Sequence, residues 1–471
     1  MMGGDKVLNK REKFNLLIAV VTLIVAYLIT LMPFPEYFTP QAKSMVAITF
    51  VAIVYWITEC IPIPLTGAVI ILLEAIFGVL PISKGLSYLA SRVNALVFAG
   101  LVISIALSKH RLDRWLSLKI VSFVGEKTDR IILGMMLSTA FLSMWISNTA
   151  ASAIMVPIAA GILGLVNAER GKSKMGKAMM IGIAYAASIG GMGTPVGTPP
   201  SSVTVGFLKD IAGIEVTFLQ WMIRGVPMAI ILTFIAWRVL LFLYTPEIKL
   251  IEGGREIITK ELEKLGKMNN EQKRVLVLFS VAVVLWLMDS FVSLLPGWMY
   301  IASVIISILF MFPGVGVLTW KEVSQKADWG VLFLVGGGLA LGSGLKATGV
   351  IELVSKGLAE ILRGMSPQVV VALMALVVSF SIIVFCSVTA TSSAFVPIAI
   401  GLAIELGIDP RLLGMVAGFA SCFAFFLPAN TPPNAIAYSQ GYFKNYEMAK
   451  AGVILTFISA LVLMFFANIL W

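Results

Sequence analysis

Apolar runs of about 20 residues, the length that crosses a hydrocarbon core, follow one another along almost the whole chain, separated mostly by short basic loops. Nothing else constrains the fold as strongly. Backbone inside a bilayer must satisfy its own N–H and C=O groups, so these runs predict an all-α polytopic membrane protein embedded in a lipid bilayer. Composition agrees: 59% of the 471 residues are hydrophobic and 13% are charged, where a soluble globule carries about a quarter charged. The run from Phe14 to Met32 is too long for a signal-peptide core and lacks a small-residue cleavage pattern, so it is expected to remain as the first span. Cys60, Cys386 and Cys422 stand in apolar surroundings with no paired spacing and are expected to be buried thiols.

Eleven spans are expected, near residues 14–32, 42–58, 63–80, 93–108, 178–207, 221–244, 274–291, 298–312, 329–345, 411–440 and 449–470. Two further stretches, 131–165 and 368–404, are long enough for two helices but too short for two full spans with a loop, and read as re-entrant hairpins. With the N-terminus cytoplasmic, 25 of the 35 Lys and Arg residues fall on the inner side and 8 outside, leaving Arg224 and Arg238 near the two ends of one span. That bias is the positive-inside pattern and points to the cell's inner (plasma) membrane. It also accounts for the net charge of +10, which is spread through the loops and implies no nucleic-acid partner.

One segment occurs twice. Ser147 to Gly161 recurs 240 positions later as Ser387 to Gly401; both copies have a polar tip, Ser147-Asn148-Thr149 and Ser387-Val388-Thr389, and both continue to Val-Pro-Ile-Ala. Five expected spans separate the copies, an odd number, so the repeat is inverted. Each copy precedes a stretch too rich in Gly and Pro for a continuous helix, Gly190 to Ser201 and Leu427 to Asn434, and these share Thr198-Pro199-Pro200 and Thr431-Pro432-Pro433. Unwound backbone at membrane depth offers carbonyls to a cation, and helix N-termini suit an anion, so paired polar breaks point to a transporter's binding site.

Enzyme chemistry finds no support. There is no Walker motif, no metal-spaced His/Cys/Asp cluster and no nucleophile with a base in an extramembrane domain. The sole His110 lies in the basic run Lys109-His110-Arg111 and is expected at a solvated surface, while Glu74, the deepest acidic residue, is expected to pair at the membrane interface.

At the two tips and the broken helices the chain resembles the divalent anion/sodium symporter family over essentially its whole length. The first tip, Ser143 to Ala150, fits that family's Ser-Asn-Thr hallmark, and Gly197 to Pro200 and Thr431 to Ala437 fit its broken-helix loops. The resemblance implies a homodimeric elevator-type transporter in which a scaffold (residues 1–130 and 274–367) holds a moving part (131–244 and 368–471), with 245–273 as cytoplasmic connector. It implies a small dicarboxylate anion held by Asn148, Thr149, Thr198, Pro199, Ser387, Thr389, Thr431, Pro432 and Asn434. It also implies one sodium ion held by Ser143, Ser147, Asn148 and the carbonyl of Gly197, with Ala429 contributing to a second. The second motif departs from the family, because Val388 stands where Asn is usual and supplies no side-chain donor or ligand.

Overall fold

Polar residues between the apolar runs set where helices begin. Asn9 and Glu12 form a reciprocal capping box on the helix Lys10–Leu31, Thr39 caps Pro40–Thr58 with Pro at its first position, and Ser91 caps Arg92–Lys109. The computed structural model describes residues 9–35, 38–123, 125–251, 253–292 and 295–467. Among these residues the regular structure is helical, apart from one isolated antiparallel bridge between Lys127 and Leu250.

Nine of the described helices are long and apolar enough to cross a membrane. Where a full span was expected, several segments are shorter or broken, and Gly and Pro mark most of the breaks. Segment 178–207 divides into Lys174–Gly191 and Pro199–Ala212, and 411–440 into Pro410–Ala420 and Pro432–Tyr438. Segment 63–80 is helical only over Ile63–Ile76, ahead of Gly78 at φ 64°, and 298–312 forms Trp298–Met311. Segment 449–470 forms Asn445–Phe466, and its residues 468–470 lie outside the described set.

Each expected hairpin is a helix, a short turn and a second helix packed on the first: Thr128–Ser143 with Asn148–Leu165, and Pro367–Phe385 with Val388–Leu406. Each second helix carries an internal proline, Pro157 or Pro397, at the same distance from its N-cap serine. Beyond its first turn, which carries Lys174 and Lys177, the helix Lys174–Gly191 is almost wholly apolar, and residues 178–195 are buried throughout, as such a helix must be.

Ile63–Ile76 crosses Trp329–Ala347 so closely that a Cβ at Gly337 would land on Gly67. Seven residues further along both helices, Glu74 lies against Gly344. It is wholly buried and neither carboxylate oxygen has a hydrogen-bond partner, so it does not pair at an interface as expected; Gly344 opens the space that admits it. His110 also differs from expectation: its side chain is 6% exposed, with Nδ1 3.2 Å from Glu271, because the Asn270–Met288 helix covers it.

Candidate functional site

At the first tip Ser147 caps its helix by accepting from Ala150 N at 3.2 Å, which leaves the N–H groups of Asn148 and Thr149 at the open helix end. Behind the tip, Ser143 Oγ lies 2.6 Å from Asn148 Oδ1 and 2.7 Å from the Ala187 carbonyl, so one hydroxyl proton faces two acceptors. The neighbouring broken helix adds more oxygen. Carbonyls of Gly191, Ser143 and Met144 stand 2.5, 2.8 and 3.1 Å from where a Cβ on Gly197 would be. Pro195, four residues after Gly191, has no N–H to give it, and among the described residues no backbone donor reaches the Gly191 or Ser143 carbonyl. This oxygen-rich, glycine-lined pocket suits a hard cation such as sodium, with Ser143, Asn148 and the backbone around Gly197 as the fitting donor set.

The second tip is built alike but lined differently. Cys386 takes a left-handed conformation at φ 49° to close the turn, and Ser387 caps the next helix through Ala390 N at 3.3 Å. The N–H groups of Val388 and Thr389 are thereby left open, so the backbone still offers donors to a carboxylate where the Val388 side chain offers none. Thr391 and Ser392 donate to carbonyls of their own helix, those of Ser387 and Thr389, and have no free proton for a ligand.

Both tips and both broken helices meet at one cavity of about 680 Å³. Ser147, Asn148, Thr149, Gly197, Thr198, Pro199, Ser387, Thr389, Thr431 and Pro432 all line it. Ser143 and Asn434 are wholly buried behind the wall, and Ala429 is exposed outside the lining. The N-termini of three helices longer than ten residues, with that of the short Pro432–Tyr438, point the positive ends of their dipoles at this space.

Sequence reading missed part of the lining. Lys109 and Lys326 line the cavity from the last turns of two helices, Arg92–Lys109 and Trp320–Lys326, more than 200 positions apart, and only the fold brings them together. Lys109 pairs with Glu322 at 2.7 Å and donates to the Val317 carbonyl at 2.9 Å, whereas Lys326 has no hydrogen bond or ion pair among the described residues. The Lys109 hydrogen bond holds the Glu322 carboxyl down to about 2. Cys386 is half-exposed and lines the cavity, which corrects the expectation of three buried thiols; Cys60 and Cys422 are buried. The reason is its place in the turn, where the helix has ended and the thiol, with Asn430 Nδ2 4.0 Å away, is left partly open.

The family profile described as the transmembrane region of sodium:sulfate symporters matches residues 12–471. The chain belongs to this family. Curated relatives include a sodium-dependent dicarboxylate transporter of Staphylococcus saprophyticus, 33% identical over 98% of this chain and 93% of its own length. Another of the same description, from Staphylococcus aureus, is 34% identical over 97% and 91%. Among solved structures, Neisseria gonorrhoeae MtrF, of a class of antimetabolite efflux pumps, superposes with a TM-score of 0.59. It is 11% identical and covers 98% of this chain and 95% of its own. The Alcanivorax borkumensis YdaH transporter, which has an unusual topology, gives 0.54 at 11% identity, over 98% of this chain and 99% of its own. At that identity the likeness is one of fold alone. As a member of the symporter family, this all-α membrane protein is a transporter and not an enzyme.

Proposed function

We propose that this symporter-family protein is a secondary transporter that moves a small dicarboxylate anion, of the succinate, malate and fumarate class, across the plasma membrane with sodium. A single observation carries the reading: cation-suited oxygens lie at and just behind the first tip, and the N-termini of several helices open on the cavity that this tip lines. A carboxylate prefers N–H and hydroxyl donors, sodium prefers oxygens, and each helps to neutralise the other at close range. The relatives described as sodium-dependent dicarboxylate transporters match over nearly their whole length and support this choice of ligand.

Polar contacts between loops support the topology. Lys109–Glu322, Arg114–Glu261, Lys177–Glu447 and Gln272 with the His110 carbonyl each join two segments assigned to the cytoplasm. Arg92–Asp210 and Thr217–Ser290 join segments assigned to the outside. On that assignment the first hairpin enters from the cytoplasm and the second from outside, an inverted pair, and the cavity end at Lys109 and Lys326 opens inward. The two hairpin halves move together as an elevator against the scaffold helices, which pair with a second copy in a homodimer.

Uptake of labelled succinate into proteoliposomes, with an inward sodium gradient against an equal potassium gradient, tests the coupling. Sodium-stimulated, saturable uptake is expected; equal uptake in the two gradients would sink it. A second reading, a dicarboxylate exchanger of the same fold, is favoured by Val388 alone and demands internal counter-substrate for every turnover.

A further inference from the structure

We infer that this transporter carries a single sodium ion per anion, because the second tip has exchanged its cation ligands for a fixed amide of its own. The inference rests on the proposed function and concerns the coupling of that same site. It follows from comparing the two halves position by position. Aligned on their Thr-Pro-Pro runs, Gly191, Gly197 and Ser201 of the first half correspond to Ala424, Asn430 and Asn434 of the second. Aligned on their tips, Ser143 and Asn148 correspond to Ile383 and Val388.

Both side chains that supply oxygen at the first tip are therefore hydrocarbon at the second, and neither isoleucine nor valine can ligate a cation. Where the first half leaves a cradle at Gly197, the second half fills it with Asn430, which is 1% exposed. Asn430 Nδ2 donates to the Ile382 carbonyl at 3.0 Å, and its Oδ1 accepts from Leu427 N at 2.8 Å. The carbonyl equivalent to the bare one of Gly191 is that of Ala424, and it accepts from Asn434 Nδ2 at 2.7 Å. Asn434 also donates to the Leu427 carbonyl at 2.9 Å.

Buried carbonyls must find a partner. At the first tip the Gly191 and Ser143 carbonyls lack one until a cation arrives, whereas at the second the Asn434 amide already satisfies the counterpart of Gly191 and the Cys386 thiol lies 3.6 Å from that of Ser143. A sodium ion would have to displace the Asn430 amide and would then meet two hydrocarbon side chains. Asn434 Oδ1 and Thr431 Oγ1 are buried without partners in the second half, but with Ile383 and Val388 in place of Ser143 and Asn148 they are too few oxygens for a sodium site, so the first site fits sodium and the second does not. The second tip keeps only its donor function, the open N–H groups of Val388 and Thr389 that face the anion.

The consequence is electrical. A dianion moving with one sodium carries a net charge of −1, so an inside-negative potential opposes its accumulation. With the wild-type protein in proteoliposomes at pH 8, where succinate is doubly charged, the ratio of radioactive sodium to labelled succinate entering is expected to be about 1. The steady-state accumulation ratio should fall about 50-fold when a valinomycin–potassium potential of about 100 mV, negative inside, is imposed. In detergent, the thermal midpoint should rise with sodium at the slope of one bound ion, a readout independent of transport. A ratio of about 2, with accumulation indifferent to potential, would overturn the single-ion inference while leaving sodium-coupled transport standing. Absence of any sodium response would overturn the proposed function and this inference with it.

Discussion

Replacing Gly191 by alanine isolates the cation cradle from the rest of the fold. Alanine in place of helical glycine normally stabilises by about 0.5–1 kcal/mol. Here the new Cβ would land on Asn148 Oδ1 and stand 3.0 Å from Nδ2. Asn148 is half-buried at a tip facing the cavity, so it can swing away at little expense. What is lost is its contact to Ser143, about 1 kcal/mol, which roughly cancels the helical gain. The thermal midpoint without sodium should therefore move by no more than about 2 °C. Sodium binding has no such compensation. Loss of one interaction with a charged group, about 1.5–3 kcal/mol, weakens apparent sodium affinity about 10- to 150-fold. Sodium titrations of both the thermal midpoint and succinate uptake read this directly. Gly161→Ala, on the Asn148–Leu165 helix, is the control, since its Cβ would meet nothing within 4 Å. If Gly191→Ala kept a sodium affinity within about threefold of wild type, the oxygens around Asn148 would not be the sodium ligands, and the cradle argument would fail.

Three other perturbations follow from particular contacts. Cys386, as the one half-exposed cysteine in the cavity wall, should take up a maleimide from the cavity side and be protected by saturating succinate, while Cys60 and Cys422 stay unlabelled; labelling unaffected by substrate would place the anion elsewhere. Arg92→Ala should shift the balance between inward and outward states by no more than about fivefold, because the Arg92–Asp210 pair joins two expected parts at 2.5 Å but is a third exposed, worth about 1 kcal/mol or less; the rate of Cys386 labelling from the inner side measures it, and an unchanged rate would remove the pair from any gating role. Glu322 lies well below the ordinary carboxylate value of 4.5, at about 2, so its ion pair stabilises fully above pH 4.5 and is lost as pH falls from there through 2. Between pH 6 and pH 3 the wild type should therefore lose more thermal stability than Glu322→Gln, by up to about 1 kcal/mol after solvent screening, and equal losses would show the pair to be inert.

How much was legible in sequence depended on whether a feature is local. The tips could be read because a capping serine, two open N–H groups and a helical proline recur at fixed spacing within one segment. The broken spans could be read because Gly and Pro act through their own backbone. Lys109 and Lys326 could not, since nothing near either residue signals that the ends of two separate helices converge on one cavity. Cys386 looked like a core thiol because its neighbours are apolar, but a left-handed turn residue points where the turn points. Glu74 looked interfacial by its position near a span's end, and only the glycine on the opposing helix explains its depth.

The asymmetry of the repeat also bears on direction of transport. An importer that works against an inside-negative potential gains from neutralising its anion, and a second cation site would do so. With the second tip closed by Asn430, the sodium gradient must offset the electrical cost of the dianion's uncompensated charge, about 2.3 kcal/mol per 100 mV. A tenfold sodium gradient contributes about 1.4 kcal/mol chemically. The sodium ion's own charge is already included in the net −1, so at about 100 mV the balance for net uptake of a dianion is unfavourable by about 1 kcal/mol. One-for-one exchange of dianions meets no such cost. On this reckoning the two proposed readings of function are distinguished by thermodynamics rather than by fold: uptake with one sodium would need the anion to be more abundant outside, whereas exchange would need only an internal counter-anion.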